Sequence, residues 1–285
     1  MIKLMLFANL NKTMAEKKIQ TNISYLGWNP VEIFIGSVDP DDGPPDLIKP
    51  DFQTGGIRNC SYAPISQLIG ITSEDRTNGG QVVAVYERLR YRTQVLVRKD
   101  YLLHHSLNRS ATELVYTEPS KTTGAADLNL LDLETGQSRS LINGRVAHDS
   151  IPSWFPDNGR LVYHTPDRSI ETINIYTGLL HKVANGQDPA INSEGTKIAF
   201  RWQNSLLIWS EVDQQVQKVP LEKQFVPNVF ANGLSWSPDG SCLSFGAIAG
   251  TTGKQTNFYI ANIESGKCLK MKTSYLSGLL LLGNG

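Results

Sequence analysis

Five short polar groups along the chain contain the residue types that could carry out chemistry. Imidazole and carboxylate side chains act as general acids, general bases or metal ligands, and guanidinium and amide groups bind polar ligands. The candidate residues are Arg58, Asn59, His104, His105, His148, Asp149, Gln187, Asp188 and Asn232. Their side chains allow acid–base catalysis, metal binding or recognition of a polar ligand, so their spacing has to discriminate between these chemistries.

The sequence motifs favour recognition over catalysis or metal binding. The chain has no G-x-S-x-G nucleophile elbow, no phosphate-binding G-x-x-x-x-G-K-[ST] loop and no H-E-x-x-H zinc motif. His104, His105 and His148 lack the spacing of zinc ligands, and the three cysteines include no C-x-x-C pair. We therefore expect no catalytic residue, no metal and no cofactor.

A repeated motif indicates which elements position the polar groups. Ser-Trp-Ser-Pro-Asp-Gly at 235–240 precedes the apolar triplet that begins at Leu243, and Ser-Trp-Phe-Pro-Asp at 153–157 precedes the one that begins at Leu161. A third copy has Ile191 in place of the tryptophan. Similar triplets begin at residues 33, 68, 114, 161, 198 and 243, so the repeat unit is about 40 residues long.

Each repeat unit has the pattern of four short strands. A Pro-Asp-Gly turn joins the first two strands, and Thr-Gly or Ser-Gly turns join the last two, with glycine where the backbone needs a positive φ. Alternation in Val82–Tyr86 indicates a strand with one buried face, and the basic stretch 88–99 is typical of an outer strand. Four strands per 40 residues without helical periodicity predict an all-β fold, a β-propeller.

Counting the repeats predicts how the propeller closes. Five complete blades are expected at 57–97, 101–144, 147–184, 186–220 and 231–272. An open ring would expose two sheet edges, so we expect a sixth four-stranded blade made jointly by N-terminal and C-terminal strands. Residues 21–285 would then form one propeller domain, and residues 1–20 a tail or an extra strand. Deletion of Tyr275–Gly285 should destabilise such a ring.

The motif x-W-S-P-D-G-x-x-L-x-F, followed by a strand pair with a Ser/Thr-Gly turn, resembles the blades of TolB-like propellers. The resemblance covers about residues 22–272, with Trp154 and Trp236 in the two best copies. It implies a six-bladed fold and partner binding at one rim of the central channel. Propellers of this type also include sugar-active enzymes, which implies an alternative role for His148 and Asp149 with His104 and His105.

The segments that enter the innermost strands would bring the nine candidate residues to one rim of the channel. We expect a non-catalytic scaffold that binds a protein or peptide there, and the alternative is a propeller that binds or processes carbohydrate in the channel. For Trp154 and Trp236 we expect packing between neighbouring sheets rather than stacking on a ligand.

Charge and hydropathy restrict the partners. The chain has 27 Lys and Arg against 27 Asp and Glu, so its net charge of zero does not favour nucleic acid. The longest aliphatic run, Leu279–Leu282, is too short to cross a membrane. The N-terminal apolar segment is interrupted early, at Asn9 and Asn11, so we expect a cytoplasmic protein, with the periplasm as the alternative, and a monomer.

Overall fold

The computed structural model describes residues 24–28, 32–37, 46–48, 54–221, 234–248, 256–271 and 278–282. These residues form six four-stranded antiparallel sheets. The expected tail at residues 1–20 and the candidate Asn232 lie outside the described residues. None of the described residues belongs to a helix that is long and apolar enough to span a lipid bilayer.

Each sheet is one blade, and in five of the six blades the four strands follow one another in the chain. Blade 1 contains β1 (Ser24–Trp28), β2 (Ile33–Ser37) and β3 (Asp46–Ile48), and blade 2 contains β4 (Thr54–Ala63), β5 (Leu68–Asp75), β6 (Gln81–Glu87) and β7 (Arg92–Lys99). Blade 3 contains β8 (His105–Leu107), β9 (Glu113–Pro119), β10 (Ala126–Asp132) and β11 (Ser138–Val146).

The second half of the chain repeats this arrangement. Blade 4 contains β12 (Ser153–Trp154), β13 (Arg160–His164), β14 (Ser169–Asn174) and β15 (Leu180–Asn185). Blade 5 contains β16 (Gln187–Ile191), β17 (Lys197–Trp202), β18 (Ser205–Ser210) and β19 (Val216–Lys218), and blade 6 contains β20 (Leu234–Trp236), β21 (Cys242–Ile248), β22 (Thr256–Asn262) and β23 (Cys268–Lys270).

The last strand, β24 (Gly278–Leu282), closes the ring. It pairs with β1, with Tyr25 opposite Leu281, and so occupies the innermost position of blade 1. The sixth blade built jointly from the two ends of the chain is therefore confirmed. A paired inner strand removes the two open sheet edges that an incomplete ring would carry.

The hydrophobic core is divided among the interfaces between blades. Six clusters of buried apolar residues are present in the described part of the chain, and each combines residues of two neighbouring blades. Residues Gln81–Tyr86 of β6 are all buried, because an interior strand is covered on both faces by adjacent blades. The expectation of one buried face for this strand was wrong, whereas β7 is an outer strand, as its basic residues indicated.

Tryptophan side chains of the repeat motif join neighbouring blades. The indole Nε1 of Trp154 in β12 donates to the Ser106 carbonyl oxygen in β8 at 3.0 Å. Trp236 in β20 makes the same bond to the Ala190 carbonyl oxygen in β16, also at 3.0 Å. Both rings are buried, so the packing role expected for them is the one that the structure has.

Serine residues of the innermost strands form a second set of bonds between blades. The hydroxyls of Ser61, Ser153 and Ser235 accept the backbone N–H groups of Leu107, Ile191 and Leu281 at 3.3, 3.4 and 3.0 Å. Together with the tryptophan bonds, they link five of the six blade interfaces through described residues. These bonds hold the innermost strands, and therefore the channel wall, in fixed positions.

Candidate functional site

A cavity of about 450 Å³ lies on the axis of the ring. All six blades contribute to its wall through their innermost strands or the segments next to them. The wall is mainly apolar and aromatic, with Tyr62, Trp154 and Trp236 among its residues, and its size falls within the range typical of ligand pockets. The cavity is therefore the central channel, and it is large enough to take a peptide segment or a small ligand.

Some of the buried polar atoms in the channel wall lack partners. Neither the Oδ1 atom of Asn59 nor the indole Nε1 of Trp28 has a hydrogen-bond partner among the described residues, although the two residues are only 2% and 3% exposed. A buried donor or acceptor without a partner costs about 1–3 kcal/mol. Such atoms are satisfied when a ligand or an ordered water molecule enters the cavity.

A cluster of charged and polar side chains lies at the end of the channel where the chain enters the innermost strands. His164, at the end of β13, is fully buried, and its Nε2 lies 3.1 Å from Oδ1 of Asp149. The backbone N–H of Asp188 donates to its Nδ1 at 3.2 Å. Because Nδ1 accepts a hydrogen bond, the ring proton is on Nε2, and a neutral His164 donates to the Asp149 carboxylate.

Asp188 occupies a strained position in this cluster. Its φ is +54°, a left-handed conformation that non-glycine residues rarely adopt, and it lies at an irregularity in the pairing of β16 with β17. Its Oδ2 accepts a hydrogen bond from Nε of Arg201 at 2.9 Å, and the side chains of both residues are largely buried. Strained backbone combined with buried charge is concentrated at functional sites.

The environments of the two carboxylates shift their pKa values in opposite directions. The hydrogen bond with His164 lowers the pKa of Asp149 to about 2. Burial raises the pKa of Asp188, although the nearby Arg201 opposes this effect. The two carboxylates and His164 each offer one ligand atom within 4.8 Å of the others.

His164 does not fit a metal in this arrangement. Both of its ring nitrogens already take part in hydrogen bonds, so no lone pair of the ring is free for a cation. Asp188 is paired with the permanently charged Arg201. Divalent cations such as Ca²⁺ prefer six to eight oxygen ligands, which these two carboxylates do not supply by themselves.

His104 has a buried ring nitrogen without a partner. Burial lowers the pKa of its ring to about 4, and the charge of Asp149 opposes this shift. The ring also forms a hydrogen bond with the backbone of His148, while its buried Nδ1 has no partner among the described residues. This ring therefore has one buried nitrogen whose hydrogen bond is still to be supplied.

Other candidate residues lie away from this cluster or are used within the fold. Arg58 is exposed, forms a 2.9 Å ion pair with Glu74, and lies over the ring of Tyr101. His148 is exposed and Gln187 is half-buried. The structure therefore brings together His104, Asp149 and Asp188 but leaves Arg58 outside the group.

Asn59 and His105, two of the candidate rim residues, are buried within the fold. Asn59 is buried in the channel wall, and His105 is completely buried between blades 2 and 3. Nδ1 of His105 shares a 2.6 Å hydrogen bond with the hydroxyl of Thr72, and burial lowers the pKa of the ring to about 3. These two positions fall on paired innermost strands rather than on the segments that precede them.

His164 and Arg201 were not among the candidate residues predicted from the sequence. Both residues stand three positions after the start of an apolar triplet, Leu161 in blade 4 and Ile198 in blade 5. The equivalent position in the other repeats holds Gly36, Ile71, Thr117 or Gly246. His164 and Arg201 could have been identified from the sequence, because this position of the repeat holds an uncharged residue in the other four copies.

Comparisons with known proteins agree on the fold. No family model and no curated protein matches the sequence. The structure is similar to TolB from Acinetobacter baumannii, with a TM-score of 0.72 and 14% identity over 93% of this chain and 67% of that one. The structure is also similar to a putative TolB from Agrobacterium tumefaciens, with a TM-score of 0.62 and 12% identity over 88% of each chain.

A third similar structure comes from a nidogen/laminin complex, with a TM-score of 0.70 and 9% identity over 91% of this chain and 98% of that one. At these identities the likeness concerns the fold alone. Together with the six closed blades, it identifies the fold of this chain as that of a TolB-like β-propeller.

Proposed function

We propose that this protein is a binding module that takes a segment of a protein or peptide partner into its central channel. The observation that carries the proposal is the apolar and aromatic cavity of about 450 Å³, whose wall contains the unpartnered Asn59 Oδ1 and Trp28 Nε1. A peptide offers apolar side chains together with amide donors and acceptors, which match both kinds of surface.

The fixed channel wall supports this role. Cross-blade bonds from Ser61, Ser153 and Ser235 hold the innermost strands, so a ligand would meet a site that is already formed. Preformed sites lose less free energy to ordering when a ligand binds. One of the similar structures comes from a nidogen/laminin complex, in which one protein binds another.

To test this proposal, a variant with a tryptophan in the channel wall is compared with a variant that has a tryptophan on the outer surface. Ser106→Trp places a large ring in the channel wall, and Glu134→Trp places the same ring on an exposed turn of the same blade. We expect a partner captured from native lysate, identified and purified, to bind wild type and Glu134→Trp equally and to bind folded Ser106→Trp at least tenfold more weakly. Equal affinity for both variants would contradict the proposal.

One observation favours a second candidate function, carbohydrate processing. A carboxylate oxygen of Asp149 lies within 4.8 Å of a carboxylate oxygen of Asp188. The pKa values of the two residues are shifted in opposite directions, as in the acid and base pairs of glycosidases. An enzyme would lose about 10²–10⁴-fold in rate on substitution of either residue. A screen of glycan hydrolysis with wild type and Asp188→Asn decides this point, because the binding module should hydrolyse no glycan.

The remaining expectations belong to the same proposal. We propose a monomer that binds neither nucleic acid nor membranes. The comparisons do not support the expected cytoplasmic location, so we propose the alternative, the periplasm. Fractionation of the native cell tests the location, and sedimentation of the purified protein tests the monomer.

A further inference from the structure

The charged cluster at the channel mouth carries an excess negative charge. Among the described residues, Arg201 is the permanent cation paired with Asp188, and Asp149 has the neutral His164 as its hydrogen-bond partner. The side chain of Asp149 is 66% exposed, so a ligand can reach its carboxylate. Two carboxylates and one guanidinium therefore leave a net charge of −1 at this position.

The unused atoms around the cluster are hydrogen-bond acceptors. In the channel wall that Asp188 also lines, the 2% exposed Asn59 has an unpartnered Oδ1. Asp149 keeps the second oxygen of an ionised carboxylate. Acceptors and negative charge together match a ligand group that has several N–H donors and a positive charge.

We propose that the channel mouth binds a cationic group of the partner, an arginine guanidinium or a lysine or N-terminal ammonium, between Asp149 and Asp188. The inference rests on the proposed function and names the chemistry of the segment that the channel takes. The cationic group would lie against the Asp149 carboxylate at the mouth, and the rest of the segment would enter the apolar channel. Asn59 would then accept a donor of that segment.

Fluorescence anisotropy with short charged peptides tests this inference. The probe is triarginine amide with a neutral fluorophore, and triglutamate amide with the same fluorophore is its control, both at low ionic strength because salt screens exposed charges. Asp149→Asn removes the charge while its amide oxygen can still accept from His164. Glu134→Gln removes an exposed charge from a turn of blade 3 and serves as the matched control variant.

We expect triarginine to bind wild type and Glu134→Gln equally, triglutamate to bind neither, and Asp149→Asn to weaken triarginine binding about fivefold to tenfold. Asp188→Asn should weaken it by a similar factor in protein whose circular dichroism matches wild type. Unchanged binding by Asp149→Asn, or equal binding of triglutamate, would overturn the inference. It would also be overturned if calcium chloride, titrated by calorimetry, bound at micromolar concentration and displaced triarginine, because the cluster would then be a metal site.

The outcome separates this inference from the proposed function. A captured partner that is lost by Ser106→Trp but bound normally by Asp149→Asn would remove the cation site and leave the binding module. Triarginine binding that depends on Asp149, without a partner that depends on the channel, would remove the proposed function and leave the cation site.

Discussion

The indole nitrogen of Trp236 donates a hydrogen bond to the carbonyl oxygen of Ala190, which lies 46 residues earlier in the chain and in the preceding blade. Trp154 makes the equivalent bond to Ser106. The tryptophan of the repeat is therefore a residue of the interface between blades, and its place in the channel wall follows from that position. Its contribution to stability can be measured separately from ligand binding.

Trp236→Phe should lower the free energy of unfolding by about 1–3 kcal/mol, because it leaves the buried Ala190 carbonyl without its donor and removes packing volume. Trp202→Phe, at a half-buried position at the end of β17, should cost less than about 1 kcal/mol. Urea unfolding followed by circular dichroism measures both variants. An equal decrease in the free energy of unfolding for both variants would show that the hydrogen bond to Ala190 does not stabilise the fold.

Deletion of Tyr275–Gly285 should destabilise the whole ring by several kcal/mol. The deletion removes β24, whose Leu279, Leu281 and Leu282 are buried, and burial of each such side chain is worth about 1.5–3 kcal/mol. Deletion of residues 283–285 alone leaves β24 intact and is the control. Thermal unfolding is the measurement, and a truncated protein that melts at the wild-type temperature would refute the role of β24 in closure.

Gly70→Ala should be strongly destabilising, by about 2 kcal/mol or more. A Cβ atom at Gly70 would lie 2.5 Å from Nε2 of His105 and 2.5 Å from Oγ of Ser61, and both side chains hold the interface of blades 2 and 3. Gly124→Ala is the matched control, because its Cβ would meet no atom within 4 Å. Chemical denaturation that gave both variants the same midpoint would contradict this account of Gly70.

Stability should fall as the pH falls from 7 to 5, partly because of His105. Its pKa is about 3 in the folded protein against 6.5 for an ordinary histidine, so the unfolded state binds a proton that the folded state does not. The contribution of His105 to the free energy of unfolding is therefore constant above about pH 6.5. It decreases as the pH falls below this value, and at pH 5 it is smaller by about 2 kcal/mol.

Urea unfolding of wild type and His105→Gln at pH 7 and pH 5 measures this contribution. The variant should be less stable at pH 7 but should lose about 2 kcal/mol less between the two pH values. His181→Gln, at an exposed position on β15, is the control and should keep the pH dependence of wild type. An identical pH dependence in His105→Gln would mean that another group is responsible.

The fold could be predicted from the sequence because its determinants are local and repeated. The spacing from Trp236 to Leu243 recurs from Trp154 to Leu161, and the turn at 238–240 has the structure that its residues predicted. Gly240 has a φ of +69°, and Oδ1 of Asp239 accepts the backbone N–H of Ser241 at 3.0 Å. Short-range chemistry of this kind is visible in any one repeat.

The candidate site could be predicted only in part, because it depends on how different blades approach one another. Asp149 and Asp188 were identified from their positions before innermost strands. The partners that set their charge lie in the same repeat units: His164 in the second strand of blade 4 contacts Asp149, and Arg201 in the second strand of blade 5 contacts Asp188. The two pairs meet only where blades 4 and 5 approach each other, through the bond from the Asp188 backbone N–H to Nδ1 of His164. The burial of His105 likewise depends on Thr72 of the preceding blade.

The pairing of Tyr25 with Leu281 also has a consequence for how the protein is made. The two residues are 256 positions apart, so blade 1 cannot be completed until nearly all of the described chain has left the ribosome. Until then β1, which contains the apolar Leu26 and Trp28, has one unpaired edge, and such edges promote aggregation. Contacts between distant residues also slow folding. Completion of blade 1 should therefore be a late event in biogenesis, and the nascent chain should depend on chaperones up to that point.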